Sequence, residues 1–218
     1  NWGLDFQLCK TNRLRTKFNQ QSTGPIVKTG FLQIRQKLYS ALTYELSENL
    51  MVKASYEFNK DKFSDRLIPI EAKDSIRRDG LPPRSKVHLI GGELEYGNLI
   101  DSGTEQEGMI ASLSANTAIS EGSRVRNFFA GELNFRLYKP ILDKSTFAFR
   151  FNSGLTNTDV LQYWYYIGGL NKIRGFADNR FAGRYFWLVN TEFRHSVISR
   201  SSFSLQAVTF LDLTTTVE

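Results

Sequence analysis

The feature that most constrains this chain is a strict two-residue alternation of apolar and polar side chains, sustained over long runs. In "FLQIRQKLYSALTYEL", Leu32, Ile34, Leu38, Leu42, Tyr44 and Leu46 share one side, while Arg35, Lys37 and Glu45 share the other. A period of two is the repeat of a β-strand, whose successive side chains point to opposite faces. The pattern recurs in "NWGLDFQL" (Trp2, Leu4, Phe6 and Leu8 against Asp5 and Gln7) and in "LMVKASYEFNK" (Leu50, Val52, Ala54, Tyr56 and Phe58 against Lys53, Glu57 and Asn59). "NFFAGELNFRLY" and "STFAFRFNSGL" repeat it, the latter with Phe147, Phe149 and Phe151 opposite Arg150 and Asn152. With "VHLIGGELEYG", "GMIASLSANTAI", "RYFWLVNTEFRHSV" and "SSFSLQAVTFLDL" the count reaches about nine strands.

Strand length separates two readings that the alternation leaves open. Many of these runs hold about 10–12 residues, whereas globular strands average roughly 5–6 and a tilted membrane-spanning strand needs roughly 9–11. Charged and amide side chains sit on one face of almost every run, and the other face is nearly free of charge. A transmembrane β-barrel with a wet interior demands that division. A soluble antiparallel sheet with one solvated face is the alternative. The 218 residues include 17 Phe, 9 Tyr and 3 Trp, which suits the barrel, and only five prolines, fewer than a sandwich rich in turns would use. No apolar run approaches the roughly 18–20 residues of a spanning helix, and the opening "NWGLDFQLCK" reads as strand rather than signal peptide.

The connections alternate in length. Segments 9–27, 59–85 and 156–183 read as long loops, whereas "SEN", "KPILDK" and "ISRSS" read as tight turns. Outer-membrane barrels place long loops outside and short turns on the periplasmic side. The 97–107 connection is longer than that rule expects. On this reckoning the 156–183 loop is extracellular.

That loop contains "YYIGGLNKIRGFADNRFAGRYFWLVNTEFRHSV". Gly168, Gly169, Ile173-Arg174-Gly175-Phe176 and the following Asn190, Glu192, Phe193 and Arg194 resemble the BamA superfamily of outer-membrane assembly and translocation barrels. "TFLDL" resembles a third family piece at Phe210 and Asp212, with Thr214 where the family has glycine. The resemblance is detailed over residues 125–213 and only architectural before that. It implies that the loop folds back into the barrel lumen and that Arg174 meets acidic wall partners, Glu192 and Asp212. Asn190, Arg194 and Phe210 would support them on the wall. Strand parity puts Glu192 with Asn190 and Arg194, and Asp212 with Ser204 and Gln206. Two carboxylates on adjacent strands therefore face the same side, where one guanidinium can bridge them. The residues alone also permit Arg174 at a solvent-exposed loop tip, with Glu192 paired to Arg194.

Little in the chain suggests catalysis. No nucleophile elbow, phosphate loop or zinc-protease motif occurs, and neither His88 nor His195 has a serine two residues on along its strand face. With two histidines and Cys9 as the one cysteine, neither a structural zinc site nor an internal disulfide is expected. His88 and His195 read as interfacial or strand-end residues. Trp2, Trp164, Trp187 and Tyr163–Tyr166 are candidates for an aromatic girdle, with Tyr165 and Tyr166 alternatively packing the loop. The net charge of +6 comes without a basic block, and "NRLRTK" and "SIRRDG" read as solvated loops, so no nucleic-acid partner is expected.

The expectation is thus an all-β chain: an antiparallel transmembrane β-barrel, partial or shortened, with an extracellular loop folded into its lumen. Residues 1–218 would form one barrel domain, incomplete at both ends and without the POTRA domains that the family carries elsewhere. The resemblance implies a bacterial outer-membrane location, an organelle outer membrane being the lesser candidate. It implies insertion or translocation of polypeptides through a lateral seam, with no enzymatic activity and no cofactor. The partners would be the lipid bilayer and unfolded outer-membrane or secreted polypeptides, with accessory subunits or a second barrel chain as further candidates. A dedicated two-partner-type secretion pore, a passive barrel retaining the loop motif and a soluble β-sandwich binding module are the other readings.

Overall fold

The computed structural model describes residues 2–19, 27–64, 84–101, 106–122, 125–142, 144–200 and 203–218. Nine long strands make one antiparallel sheet: β1 (Trp2–Asn19), β2 (Val27–Ser47), β3 (Leu50–Ser64), β4 (Ser85–Asp101), β5 (Gln106–Ser120), β6 (Phe128–Leu142), β7 (Ser145–Thr156), β10 (Tyr185–Arg200) and β11 (Phe203–Val217). Between β7 and β10 lie a 3-10 turn (Leu161–Tyr163) and a separate two-stranded ribbon of β8 (Tyr165–Ile167) and β9 (Phe181–Gly183). The sheet order is sequential, β1-β2-β3-β4-β5-β6-β7-β10-β11, so every long strand pairs with its neighbours in the chain.

The sheet is open. A barrel would need a ladder between β1 and β11, and β1 pairs with β2 alone and β11 with β10 alone. The partial or shortened barrel expected from the sequence is thus an antiparallel nine-stranded sheet that does not close, with two unpaired edges among the described residues. Side-chain alternation reports the two faces of a strand and carries no information about whether the first strand finds the last.

Several boundaries move as well. The segment 9–27 reads as loop because polar residues occupy both faces there, but β1 continues to Asn19 and its ladder resumes at Val27. Likewise β3 runs through Ser64 into the expected 59–85 loop. β4 reaches Asp101 and β5 starts at Gln106, which shortens the apparent 97–107 connection to residues 102–105. The connections now divide cleanly: 48–49, 102–105, 143–144 and 201–202 at one end, and 20–26, 65–84, 121–127 and 157–184 at the other. Three register shifts, at Glu45/Ser47, Pro140/Leu142 and Ser196/Ile198, all fall beside the short turns. One of them lies at Pro140, which has no N–H to give to a ladder. The basic stretch at 75–80 lies outside the described residues.

The two faces differ as the alternation requires. One carries Phe129, Leu133 and Leu137 of β6, Phe147, Phe149 and Phe151 of β7, and Val189 and Phe193 of β10. Leu42, Ile90, Leu94, Leu113, Leu211 and Leu213 on this face are exposed. The residues 50–58 of β3, 129–137 of β6 and 185–193 of β10 place no charged side chain on it, a band about nine residues tall. Lys60 and Lys62, with Lys86 and His88, border the band towards the long loops, and Glu107, Lys139 and His195 border it towards the short turns. The opposite face holds Arg35, Asn59, Asp61, Glu93, Asn134, Asn152, Asn190, Glu192 and Asp212, and the 157–184 segment packs against that side. Among the described residues no helix is long and apolar enough to cross a membrane.

Candidate functional site

The 157–184 segment is held flat by its own hydrogen bonds before it touches the sheet. The β8–β9 ribbon pairs Tyr165 with Gly183 and Ile167 with Phe181. Beyond it the chain reverses through an isolated bridge between Gly169 and Ile173, with Gly169 N donating to Phe176 O at 3.1 Å. Gly168 and Gly169 have φ of +134° and +86°, and a Cβ on Gly169 would collide with Asp178 Oδ1, so this reversal requires glycine twice over. Ile173 is buried with Ile167, Phe186 and Leu188, which pins the tip to β10. Arg174, the next residue in the turn, reaches the same face further along β10, at Glu192, and Asp212 of β11 beside it.

Arg174 meets both acids. Its backbone N and Nε donate to Asp212 Oδ2 at 3.0 and 2.8 Å, and Nη2 donates to Asp212 Oδ1 at 2.6 Å. Nη1 donates to Glu192 Oε1 at 2.5 Å. The guanidinium lies over the Phe210 ring, 3.7 Å from its centroid, within cation–π range. Asn190 Nδ2 donates to Asp212 Oδ1 and to Lys172 O, each at 2.8 Å, fixing acid and loop together. Arg194 Nε donates to the second oxygen of Glu192 at 2.8 Å, and Arg194 Nη1 donates to Gln106 Oε1 at 2.8 Å. Hydrogen bonding to Asp212, and then to Glu192, raises the Arg174 pKa well above its ordinary value. The side chain of Asp212 is 5% exposed and that of Arg174 21%, so the contact is shielded but not sealed.

The site residues read from the sequence are thus found together, except at one margin. Gly175 turns the chain with φ +86°. Phe176 does not reach the wall: it is half exposed and packs edge-on against Phe181 of β9. Thr214, standing where the resemblance leads one to expect glycine, faces the loop side and donates to Trp187 O at 2.6 Å.

A second anchor lies within the 59–85 stretch that the sequence pattern reads as loop and that β3 enters as far as Ser64. Asp61 on β3 sits directly opposite Arg35 on β2, which donates to it through Nε at 2.7 Å and Nη2 at 2.9 Å. Gln33 Nε2 adds a bond at 3.0 Å, and the Asp61 side chain is 0% exposed. From the 157–184 segment Tyr163 donates its hydroxyl to Asp61 Oδ2 at 3.1 Å, with Ser85 Oγ 3.2 Å from the same hydroxyl. Burial pushes the Tyr163 phenol up, away from ionisation. The continuing parity of Lys53, Glu57 and Asn59 was the available signal, since Asp61 is the next residue on that face.

Of the girdle candidates, Trp2 and Trp187 lie on the apolar face, Trp2 against Tyr44 with centroids 4.4 Å apart. Trp164 does not lie there: it belongs to the loop and donates Nε1 to Thr158 O. Tyr165 and Tyr166 also serve loop packing, donating to Gly131 O and Leu161 O. His88 lies between Tyr56 Oη and Glu121 Oε1, at 2.7 and 2.8 Å, at the long-loop end of the band. His195 Nδ1 is 2.8 Å from Ser145 Oγ on the adjacent strand, a cross-strand pair that a search along one strand misses. Among the described residues no carboxylate hydrogen-bonds the other nitrogen of that ring.

A scan against protein-family models finds none that matches the chain, and a comparison with curated proteins finds no match.

Proposed function

We propose that this chain is wall of a BamA-like outer-membrane β-barrel that inserts or translocates polypeptides. The observation that carries the reading is Arg174, brought by a glycine-rich loop onto Asp212 and Glu192 of two adjacent strands. On the other side of the same sheet lies the apolar band. A band about nine residues tall is close to the roughly 9–11 that a tilted strand needs to cross lipid, and the segregation of long and short connections is that of outer-membrane barrels. In this reading the polar face is the lumen, the 157–184 segment is an extracellular loop folded into it, and the site performs no covalent chemistry.

Closure of the cylinder then requires strands or a second copy to pair with β1 and β11. An unpaired edge is also a template on which an incoming polypeptide strand can add by backbone hydrogen bonding. The proposed activity follows from that property. The lumen strap holds the wall rigid on one side while an edge is free to pair with a client strand.

The test has two stages. Heat-modifiable migration and dependence on detergent for solubility support a membrane barrel, and a monodisperse protein in plain buffer overturns it. Depletion in the native host, followed by a census of outer-membrane proteins, then reads the activity. General loss of outer-membrane proteins supports insertion, loss of a single exported protein marks a dedicated secretion pore, and an unchanged census marks a passive barrel.

A further inference from the structure

A cavity of about 150 Å³ lies between the loop tip and β6, β7 and β10. Its lining includes Arg150, Lys172, Arg174, Arg194 and Glu192. Counting Asp212 behind Arg174, four cations meet two carboxylates there, a surplus of two positive charges. The two carboxylates are already committed to Arg174 and Arg194. No carboxylate forms a salt bridge with Arg150 among the described residues, Glu132 acting on it only at longer range. Its Nη1 donates to the carbonyl of Asn171 at 2.8 Å, and its buried Nε donates to nothing. Arg136 on β6 stands directly opposite Arg150 in the ladder, on the same face of the sheet, and Glu132 of the same strand acts on Arg150 with the opposite sign, so the two offset and the surplus stays at two. Like charges placed directly across a sheet destabilise it, and a buried donor without an acceptor is costly.

We propose that this cavity binds a small dianionic oxyanion of the phosphate type, held chiefly by the Arg150 fork with Arg136 and Lys172 beside it. Guanidinium groups match the paired oxygens of such an anion, and a dianion cancels the surplus that the lining leaves. The volume accommodates one compact anion with water, given that a water occupies about 30 Å³ of liquid. Because the cavity is on the polar face, beneath the loop, the ligand comes from solution and not from a lipid headgroup. The site depends on the docked loop and not on the membrane reading, so either can fail alone.

The test is calorimetric titration of the detergent-refolded chain with inorganic phosphate at ionic strength matched by chloride, with thermal unfolding followed in parallel. Saturable binding and a rise in unfolding temperature with phosphate are expected. Arg150→Gln and Arg136→Gln should each weaken binding by about tenfold or more, the loss of one charge-assisted hydrogen bond. Arg136 is exposed, so Arg136→Gln keeps the question answerable if Arg150→Gln misfolds. No saturable phosphate binding, or wild-type affinity in Arg136→Gln, overturns the site. A second titration with micelles containing phosphatidic acid separates the sources: binding of the headgroup but not of free phosphate also overturns it.

Discussion

Removing the Arg174 side chain should release the loop tip without unfolding the sheet, and the two acids should not matter equally. Asp212 receives three of the four hydrogen bonds that Arg174 makes to the pair, one of them from its backbone N, whereas Glu192 receives one and keeps Arg194. Arg174→Ala therefore strands Asp212 above all, a nearly buried carboxylate left with Asn190 Nδ2 and one backbone donor. Breaking one partner of a buried ion pair costs about 3–5 kcal/mol. The partial exposure of Arg174 and those two remaining donors place this case near the low end, about 3 kcal/mol. Asp212→Ala should match it, and Glu192→Ala should cost about 1 kcal/mol, the scale of one exchanged hydrogen bond. The assay is hydrogen exchange of the β8–β9 amides in detergent, which reads local opening, with urea unfolding as the global control. A double-mutant cycle between Arg174 and Asp212 should give a coupling several times that between Arg174 and Glu192. Equal couplings, or β8–β9 protection unchanged in Arg174→Ala, would refute the reasoning. The sign with pH follows from the raised Arg174 pKa: its stabilisation is complete below the unfolded guanidinium value and is lost only as pH climbs through the still higher folded one. Loop protection should consequently stay level from about pH 7 to pH 10.

Tyr163→Phe removes the loop's bond to Asp61 and should cost about 1 kcal/mol, speeding exchange around the 3-10 turn while leaving the Arg174 tip protected; equal loosening of both would show one cooperative unit instead of two anchors. Gly154→Ala places a Cβ 2.5 Å from Phe186 Cε1 and 2.8 Å from Tyr165 Cζ, and should destabilise by about 1–3 kcal/mol in urea unfolding, the cost of overpacking. Leu133→Arg, on the apolar face, should cost about 2–4 kcal/mol in a bilayer and much less in detergent-free aqueous refolding, and indifference to lipid would count against the membrane reading.

What the chain disclosed in advance was face, not extent. Parity puts Glu192 and Asp212 on one side because residues 189–194 alternate and Asp212 stands between Leu211 and Leu213, and the register makes them near neighbours, Asn190 opposite Asp212 and Glu192 opposite Phe210. Parity fails where both faces turn polar. "KTNRLRTKFN" and "NKDKFS" lie at the long-loop ends of β1–β3, where polar residues stand at positions of both parities, so the alternation stops while the ladder continues. Asp61 was lost for that reason, together with the Arg35 pair that only strand register reveals. Phe176 shows the opposite limit: a matching motif residue fixes the tip's shape but not which aromatic finds the wall.

The two anchors together explain why so long a connection is built into this sheet. Asp61 lies on β3 and Asp212 on β11, six ladder spacings apart in the sheet order, an arc of about 29 Å at the usual separation of strands. Between them Tyr165 bonds to the backbone of β6, and Arg150 of β7 bonds to the loop at Asn171. One segment therefore ties the third strand to the last across the polar face, and the strand carrying Asp212 is also an unpaired edge. Any movement of β11 relative to β7 must draw on the Arg174 contacts before it disturbs the Asp61 cluster, because Asp61 is already neutralised within the sheet by Arg35 and Asp212 is not. The loop's attachment at the edge is thus the stronger of the two, about 3 against about 1 kcal/mol on the losses above, and a shift of β11 has to break it first.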